Sequence, residues 1–278
     1  MDCNHVFENK RRPRDNFSKS LWFQFSHEKQ SYKSLAKKSG CCERTIQRLL
    51  EKVEPVILKT ECAKTVIIMD TFYFRRGFGV MVFRDSYNNK NIFWKYLPNE
   101  TNAEYISGIE HLISNGWSIL GIVCDGKRGL FTAFKGIPVQ MCQFHQTAII
   151  TRYLTQNPKL LAGKELSILT STLTKVGREE FSDMLEKWHK KWADFLKEKT
   201  LNDESGRWFY THRKLRSAYR SLKSNIPYLF IYLDYPELKI PNTTNSLEGV
   251  FSGLETKIRV HTGIKDERKI KLVNELLA

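Results

Sequence analysis

No apolar run in this sequence reaches the roughly 18 residues of a membrane-spanning helix, and no charged-then-apolar leader opens it. The expectation is a soluble, intracellular chain with no membrane partner. The six cysteines, at 3, 41, 42, 62, 124 and 142, follow no regular spacing, which argues against a disulfide framework and for reduced thiols in a cytosol. Cys3 and His5 form one pair only, too few ligands for a zinc site. No sustained heptad of apolar residues predicts a coiled coil. Acidic residues are short relative to basic ones, 30 against 45, leaving a net charge of +15. That imbalance favours a polyanionic partner, because each neutralised phosphate releases counterions. With 278 residues, of which 41% are hydrophobic, the chain can bury one sizeable core beside a smaller module.

What the sequence does contain is a pair of apolar runs that each end on a carboxylate. Residues 65–71 read T-V-I-I-M-D-T, and Val66, Ile67, Ile68 and Met69 suit a strand buried on both faces, with Asp70 at its end. Residues 118–125, S-I-L-G-I-V-C-D, repeat the pattern and end on Asp125. An acid so placed stands on rigid backbone at a sheet rim, where open sheets bind their ligands. Strands are also predicted at 78–85 and 91–97, joined by the turn-like S-Y-N-N-K. Thr101-x-x-Glu104 forms a capping box, opening a helix that buries Tyr105, Ile109, Leu112 and Ile113 and stops at Asn115-Gly116. A turn through Gly126 and Gly129, a short helix near 130–134 and a strand at 139–142 follow. Three strands, helix, strand, helix, strand is the order of an RNase H-like core, although other α/β domains share parts of it.

The flanking segments read differently. Residues 1–20 are a basic arm, with K-R-R-P-R at 10–14. Residues 21–53 have the spacing of a trihelical helix-turn-helix: Leu21, Trp22 and Phe25 on one face, then Tyr32, Leu35 and Ala36, a break at Ser39-Gly40, and Ile46, Leu49 and Leu50. Cys42 takes the N-cap position where serine is usual, so a weak cap is expected. In such a module the second helix enters the major groove, and Glu43, Arg44, Gln47 and Arg48 lie off its apolar face. Residues 54–64, with Pro55, are a connector; 65–145 hold the first part of the core; 146–241 form an all-helical insertion; and 242–278 return to the core with a C-terminal helix, whose end the basic stretch 265–271 caps or packs. In the insertion Ile168, Leu169 and Leu173, then Phe181, Leu185, Trp188 and Trp192, follow helical spacing, and the tryptophans read as core. The basic cluster Arg213, Lys214, Arg216 and Arg220, together with Lys127 and Arg128 beside Asp125, is assigned to DNA.

The third acid is Glu248, beside the stripe Leu247, Val250, Phe251, Leu254 and Ile258. Taken singly each acid has a plain structural reading: Asp70 ends a strand, Asp125-Gly126 is a turn, and Asn245-x-x-Glu248 is a variant capping box. Glu255, seven residues on, is a rival to Glu248. Taken together, two strand-end aspartates and a late glutamate form an oxygen-rich set suited to Mg²⁺ or Mn²⁺, with two ions assisting an in-line phosphoryl transfer.

Four blocks carry a more specific resemblance: the strand ending in Asp70; C-D-G-K-R-G-L at 124–130; V-Q-M-C-Q-F-H at 139–145; and N-T-T-N-S-L-E-G at 242–249. From about residue 21 to the C-terminus the chain resembles the Mutator-like superfamily of DDE transposases, in its bacterial insertion-sequence branch. The resemblance implies an RNase H-like core interrupted by a helical insertion before the third acid. It assigns Asp70, Asp125 and Glu248 to catalysis and to two divalent metal ions, and marks Cys142-x-x-His145 as a motif close to the site. It implies strand cleavage and transfer on double-stranded DNA, element ends and target, by a homodimer in the bacterial cytoplasm, at the nucleoid. Relatives often carry a zinc ribbon before the helix-turn-helix, so an N-terminally shortened member is expected. Two rival functions remain at this stage: a shortened or domesticated copy acting as a DNA-binding repressor, and a structure-specific nuclease of the RNase H-like class.

Overall fold

The computed structural model of the chain describes residues 14–56 and 61–278; residues 1–13 of the basic arm, with Cys3 and His5, and 57–60 of the connector lie outside the described residues. The helices in chain order are α1 (Arg14–Ser26), α2 (Tyr32–Ser39), α3 (Glu43–Glu51), α4 (Asn102–Ser114), α5 (Leu130–Ala133), α6 (Gln143–Leu154), α7 (Leu161–Ser171), α8 (Arg178–Lys191), α9 (Ala193–Lys197), α10 (Arg213–Leu229), α11 (Ile231–Asp234), α12 (Asn245–Val260) and α13 (Asp266–Leu277). The strands are β1 (Lys64–Arg75), β2 (Phe78–Asp85), β3 (Lys90–Leu97), β4 (Ser118–Cys124), β5 (Val139–Met141), β6 (Lys199–Leu201) and β7 (Trp208–Tyr210). Two compact units result, Thr60–Glu248 and Met1–Lys59 with Gly249–Ala278.

In the smaller unit, Ser31 caps α2 by accepting the Ser34 N–H at 3.2 Å. Gly40 closes that helix at φ +68°, a left-handed conformation that a residue without Cβ adopts freely, and so sets the turn into α3. Cys42 stands at the N-cap of α3 with no side-chain cap bond, as a thiol there implies. Leu21, Trp22, Phe25, Leu35, Ile46 and Leu50 bury together with Leu272 of α13. Two features differ from the sequence expectation. Helix α1 begins at Arg14 rather than near 21, because Phe17 already packs on this cluster. The basic stretch 265–271 belongs mostly to α13, whose Lys271 donates to the Leu50 and Glu51 carbonyls at 3.3 and 2.7 Å and so satisfies the exposed end of α3.

The larger unit is built on a mixed sheet of order β3-β2-β1-β4-β5. β1 runs antiparallel to β2, β2 antiparallel to β3, and β1, β4 and β5 are parallel. This order and polarity make it an α/β domain with an RNase H-like core. Val66, Ile67, Ile68 and Met69 are no more than 2% exposed, consistent with a central strand covered on both faces. Asp70 is not the last residue of its strand, since β1 continues as a hairpin with β2 as far as Arg75. The β4 partnership, however, stops at Ile68 opposite Val123, so Asp70 stands where the parallel ladder has ended and one edge of β1 is open.

Helix α4 starts as its capping box predicts, with Thr101 Oγ1 accepting the Glu104 N–H at 3.2 Å. Tyr105, Ile109 and Leu112 are buried, but Ile113 is 48% exposed, because a helix turns the neighbour of a buried residue away from the core. Gly108 lies directly on Phe83: a Cβ there would stand 2.0 Å from Phe83 Cζ. Gly108→Ala is therefore expected to destabilise the fold by about 1–3 kcal/mol, the overpacking term exceeding the better helix propensity of alanine; urea unfolding at unchanged slope is the measurement.

The insertion has its own core, in which Leu166, Phe181, Leu185, Trp188, Leu215 and Leu222 are buried. Trp188 Nε1 donates to the Ala162 carbonyl at 3.0 Å and Trp192 Nε1 to Glu165 at 2.8 Å, so both indoles are structural. Ile168 departs from the expected stripe at 67% exposure. The insertion is helical apart from one hairpin, β6 with β7. Gln140 and Gln143, both fully buried, donate to the single carbonyl of Leu229 at 2.9 Å each and tie α10 to the sheet. Among the described residues no helix is long and apolar enough to cross a membrane.

Candidate active site

Four charged groups gather where the parallel strands end. Asp70 is 8% exposed, and its Oδ1 accepts the Thr71 N–H at 2.7 Å. Asp125 follows β4 directly, and its Oδ1 accepts the Lys127 N–H at 3.1 Å, the turn that Asp-Gly favours. His145 lies in the first turn of α6, its Nε2 3.8 Å from Asp70 Oδ2 and 3.6 Å from Glu248 Oε1. Ligand atoms of Asp70, His145 and Glu248 all fall within 4.8 Å of one another. Asp125 is outside that tight group, although close enough for its charge to act on Asp70.

The placement of Glu248 depends on the Cys142-x-x-His145 motif. Cys142 Sγ accepts the Thr244 N–H at 3.3 Å and the Thr244 hydroxyl at 3.4 Å. The Gln143 N–H donates to the Asn242 carbonyl at 2.9 Å, and Asn242 Nδ2 donates back to Gln143 Oε1 at 3.0 Å. The segment 242–244 is thus docked on the start of α6. Thr244 accepts the backbone N–H of Leu247 and Glu248, at 2.9 and 3.1 Å, and is the residue from which α12 starts. With Thr244 as the start, Asn245 is not the cap and Glu248 stands one position past the place a capping box requires, so its side chain meets His145 instead. Glu255, the rival, pairs with Arg259 at 2.7 Å on the next turn of its own helix.

Burial and mutual charge set the protonation of these groups. Burial pushes the Asp70 carboxyl up to about 7, against the pull of His145 and with the support of Asp125 and Glu248. Asp125 is raised by burial and then by Glu100. His145 is lifted to about 9, first by its hydrogen bond with Cys142 and further by the aspartates, and is held as an imidazolium among the acids. Burial alone would raise the Cys142 thiol, but hydrogen bonds with His145 and Thr244 bring it below its ordinary range.

Sequence reasoning missed the ring around the cluster. Glu100 receives the Tyr105 hydroxyl at 2.7 Å, and that hydroxyl also meets Thr71 Oγ1 at 3.1 Å. Lys127 turns its ammonium to the Glu100 carbonyl at 2.7 Å and carboxylate at 3.6 Å. A chain of contacts therefore joins β1 beside Asp70 to the Asp125 turn. Tyr105 gave only a core signal, and Glu100 sits in a loop before a cap, where spacing carries no information. The other basic residues assigned from sequence disperse. Arg44 and Arg48 are exposed on α3 and share one open face with Gln47. Arg213 stacks over Phe209, and Arg216 lies 3.6 Å over Tyr210 while donating to the Leu196 carbonyl at 2.6 Å. Lys214 lines one groove with Arg213, Tyr153 and Phe209.

No family model matches the sequence, and no curated protein matches it. Among solved structures, the HTLV-2 integrase catalytic core domain in complex with magnesium, in its dimeric form, is similar over 56% of this chain and 98% of its own, at 15% identity and a TM-score of 0.24. A chain of the simian T-cell lymphotropic virus intasome in complex with PP2A regulatory subunit B56 gamma is similar over 56% of this chain and 69% of its own, at 13% identity and a TM-score of 0.25.

Proposed function

We propose that this chain is a DDE transposase of the Mutator-like superfamily, cleaving DNA at the ends of an insertion sequence and transferring the freed strand to a target. The observation that carries the proposal is the convergence of Asp70, His145 and Glu248, with Asp125 beside them, at the open edge of an RNase H-like sheet. The donor set fits a hard divalent cation: three carboxylates, with the deepest raised to about 7 by burial and by its acidic neighbours. Asp70, Asp125 and Glu248 would hold Mg²⁺ or Mn²⁺, two ions in the full reaction, with His145 at their side. Bound there, such ions supply Lewis-acid stabilisation of an in-line phosphoryl transfer.

The chain's own residues do the rest. The Thr71 N–H fixes Asp70 and the Lys127 N–H fixes Asp125, so both carboxylates are oriented before DNA arrives. Thr244 and Cys142 set the first turn of α12 and with it Glu248. His145 holds a proton at Nε2 facing the acids, a positive charge suited to the phosphate that approaches them. The α3 face of Arg44, Gln47 and Arg48 reads the element end, and a homodimer brings two ends together in the cytoplasm at the nucleoid.

The test is a cleavage and strand-transfer assay on DNA carrying the native element ends, with Mg²⁺ or Mn²⁺. E248Q is expected to lose joined product and E255Q to retain it. Specific binding without cleavage under either metal would overturn the enzyme and leave a DNA-binding repressor. Cutting of branched DNA without joining would leave a structure-specific nuclease.

A further inference from the structure

A second feature of the larger unit lies on the other side of the Asp125 turn. A cleft of about 750 Å³ opens between α6 and α10, with Gly126 on its lining. Arg128, Arg152 and Arg220 line it, and no acidic residue does. All three are exposed, and none is paired with a carboxylate among the described residues, whereas Arg178, Arg259 and Arg268 each meet one. The bottom of the cleft is built. Gln146, fully buried and next to His145, donates to Ser221 Oγ at 3.2 Å and accepts from Asn225 Nδ2 at 2.7 Å. Ser221 therefore has its own proton, and Asn225 its second amide proton, to offer into the cleft. Three guanidiniums above neutral donors form a site for several linked anionic oxygens rather than for one small ion.

We infer that this cleft binds the phosphodiester backbone of the DNA strand whose scissile phosphate reaches Asp70 and Asp125. The inference rests on the proposed function for the identity of that strand. Gly126 directly follows Asp125, so backbone phosphates seated on the arginines lie one residue from the carboxylate turn. Recognition here is of phosphate and is independent of base sequence. The same helix, α6, serves both features: His145 faces the acids and Gln146 braces the cleft.

The test uses the full chain, with a duplex oligonucleotide carrying the element end as probe, titrated over a range of NaCl concentrations. R152Q/R220Q is expected to flatten the dependence of log affinity on log salt by about 2, one step for each lost phosphate contact, and to weaken binding at low salt at least tenfold. R152K/R220K keeps the charges and is expected to restore most of the slope. A wild-type slope and affinity in R152Q/R220Q, with an unchanged melting temperature, would overturn the inference; so would a variant that loses binding only because it has unfolded, if the lysine pair binds no better. ATP and pyrophosphate form the second arm: if either competes at the concentration of oligonucleotide phosphate, the cleft is a site for free phosphates and the strand assignment falls. Metal-dependent cleavage by the wild type with no change of slope in R152Q/R220Q would remove the cleft and leave the active site standing. A flattened slope without cleavage would do the reverse.

Discussion

D70N is expected to abolish the proposed metal-dependent cleavage, by on the order of 10³-fold or more, and at the same time to make the protein melt higher at alkaline pH. Both effects come from one carboxylate. Asp70 is 8% exposed, and burial, reinforced by Asp125 and Glu248 and opposed by His145, carries it from 3.8 to about 7. A carboxyl whose folded value is raised binds its proton more tightly in the folded state. Stability is therefore unaffected by this group below about 4 and falls as pH rises from there to about 7, by up to a few kcal/mol. Asparagine keeps the shape and carries no charge, so D70N removes that loss. In EDTA at pH 8 its melting temperature should exceed that of the wild type, and at pH 4 the two should agree. Adding Mg²⁺ at pH 8 should raise the wild type more than D70N, because only the wild type presents the full anionic set. DNA binding should persist in D70N, since the phosphate contacts proposed above lie elsewhere. A fully active D70N would overturn the assignment of this cluster, and a variant that melts no higher at pH 8 would show that the acids are already compensated by His145.

The sheet was legible because strand physics writes itself locally. Four consecutive apolar residues at 66–69 and the run ending at Cys124 demand burial on two faces, which a central strand covered on both sides provides. The point at which Asp70 becomes accessible was not legible: β1 runs on to Arg75, and only the register with β4, a pairing some fifty residues distant in sequence, leaves its edge open. The Cys142-x-x-His145 motif was visible as a motif, but its work was not, because its partner is Thr244, about a hundred residues on, and the contact is between a sulfur and the backbone of a helix start. Glu248 could be drawn from the sequence only as a choice between a cap and a ligand; a shift of the helix start by one residue, to Thr244, removes the cap geometry and leaves the side chain for His145. The basic residues were the least legible. Arg216 and Arg220 read alike in sequence, yet one lies over Tyr210 and bonds Leu196, while the other lines an open cleft. The C-terminal stripe of α12 and α13 is equally apolar whichever core it serves, and so it could not tell which unit would receive residues from Gly249 on.

The largest expected loss of stability comes from a residue that carries no chemistry. Asp85 closes β2 with no exposed surface. Its Oδ1 accepts the Thr65 hydroxyl, the Tyr87 N–H at 2.9 Å and the Asn88 N–H at 3.4 Å, while Oδ2 accepts Asn88 Nδ2 at 2.7 Å. One carboxylate thereby fastens the β2–β3 turn to β1, the strand that carries Asp70. Burial by itself would raise its carboxyl, but these donors outweigh it and hold Asp85 below the ordinary carboxylate range. Asp85→Ala strands a buried hydroxyl, two backbone N–H groups and an amide, and is expected to cost about 3–4 kcal/mol at neutral pH, with a melting temperature lower by roughly 10 °C. The sign with pH is the opposite of that at Asp70. A depressed carboxyl stabilises the fold above its unfolded value and loses that contribution as pH falls through its lower folded value, so the gap between wild type and D85A should be full near pH 7 and close below about pH 4. D85N retains an acceptor oxygen while placing an amide among donors, and should lie between the two. Melting curves of the three proteins from pH 3 to 8 would read this directly, and a D85A curve parallel to the wild type at every pH would show that packing, not the carboxylate, holds the turn.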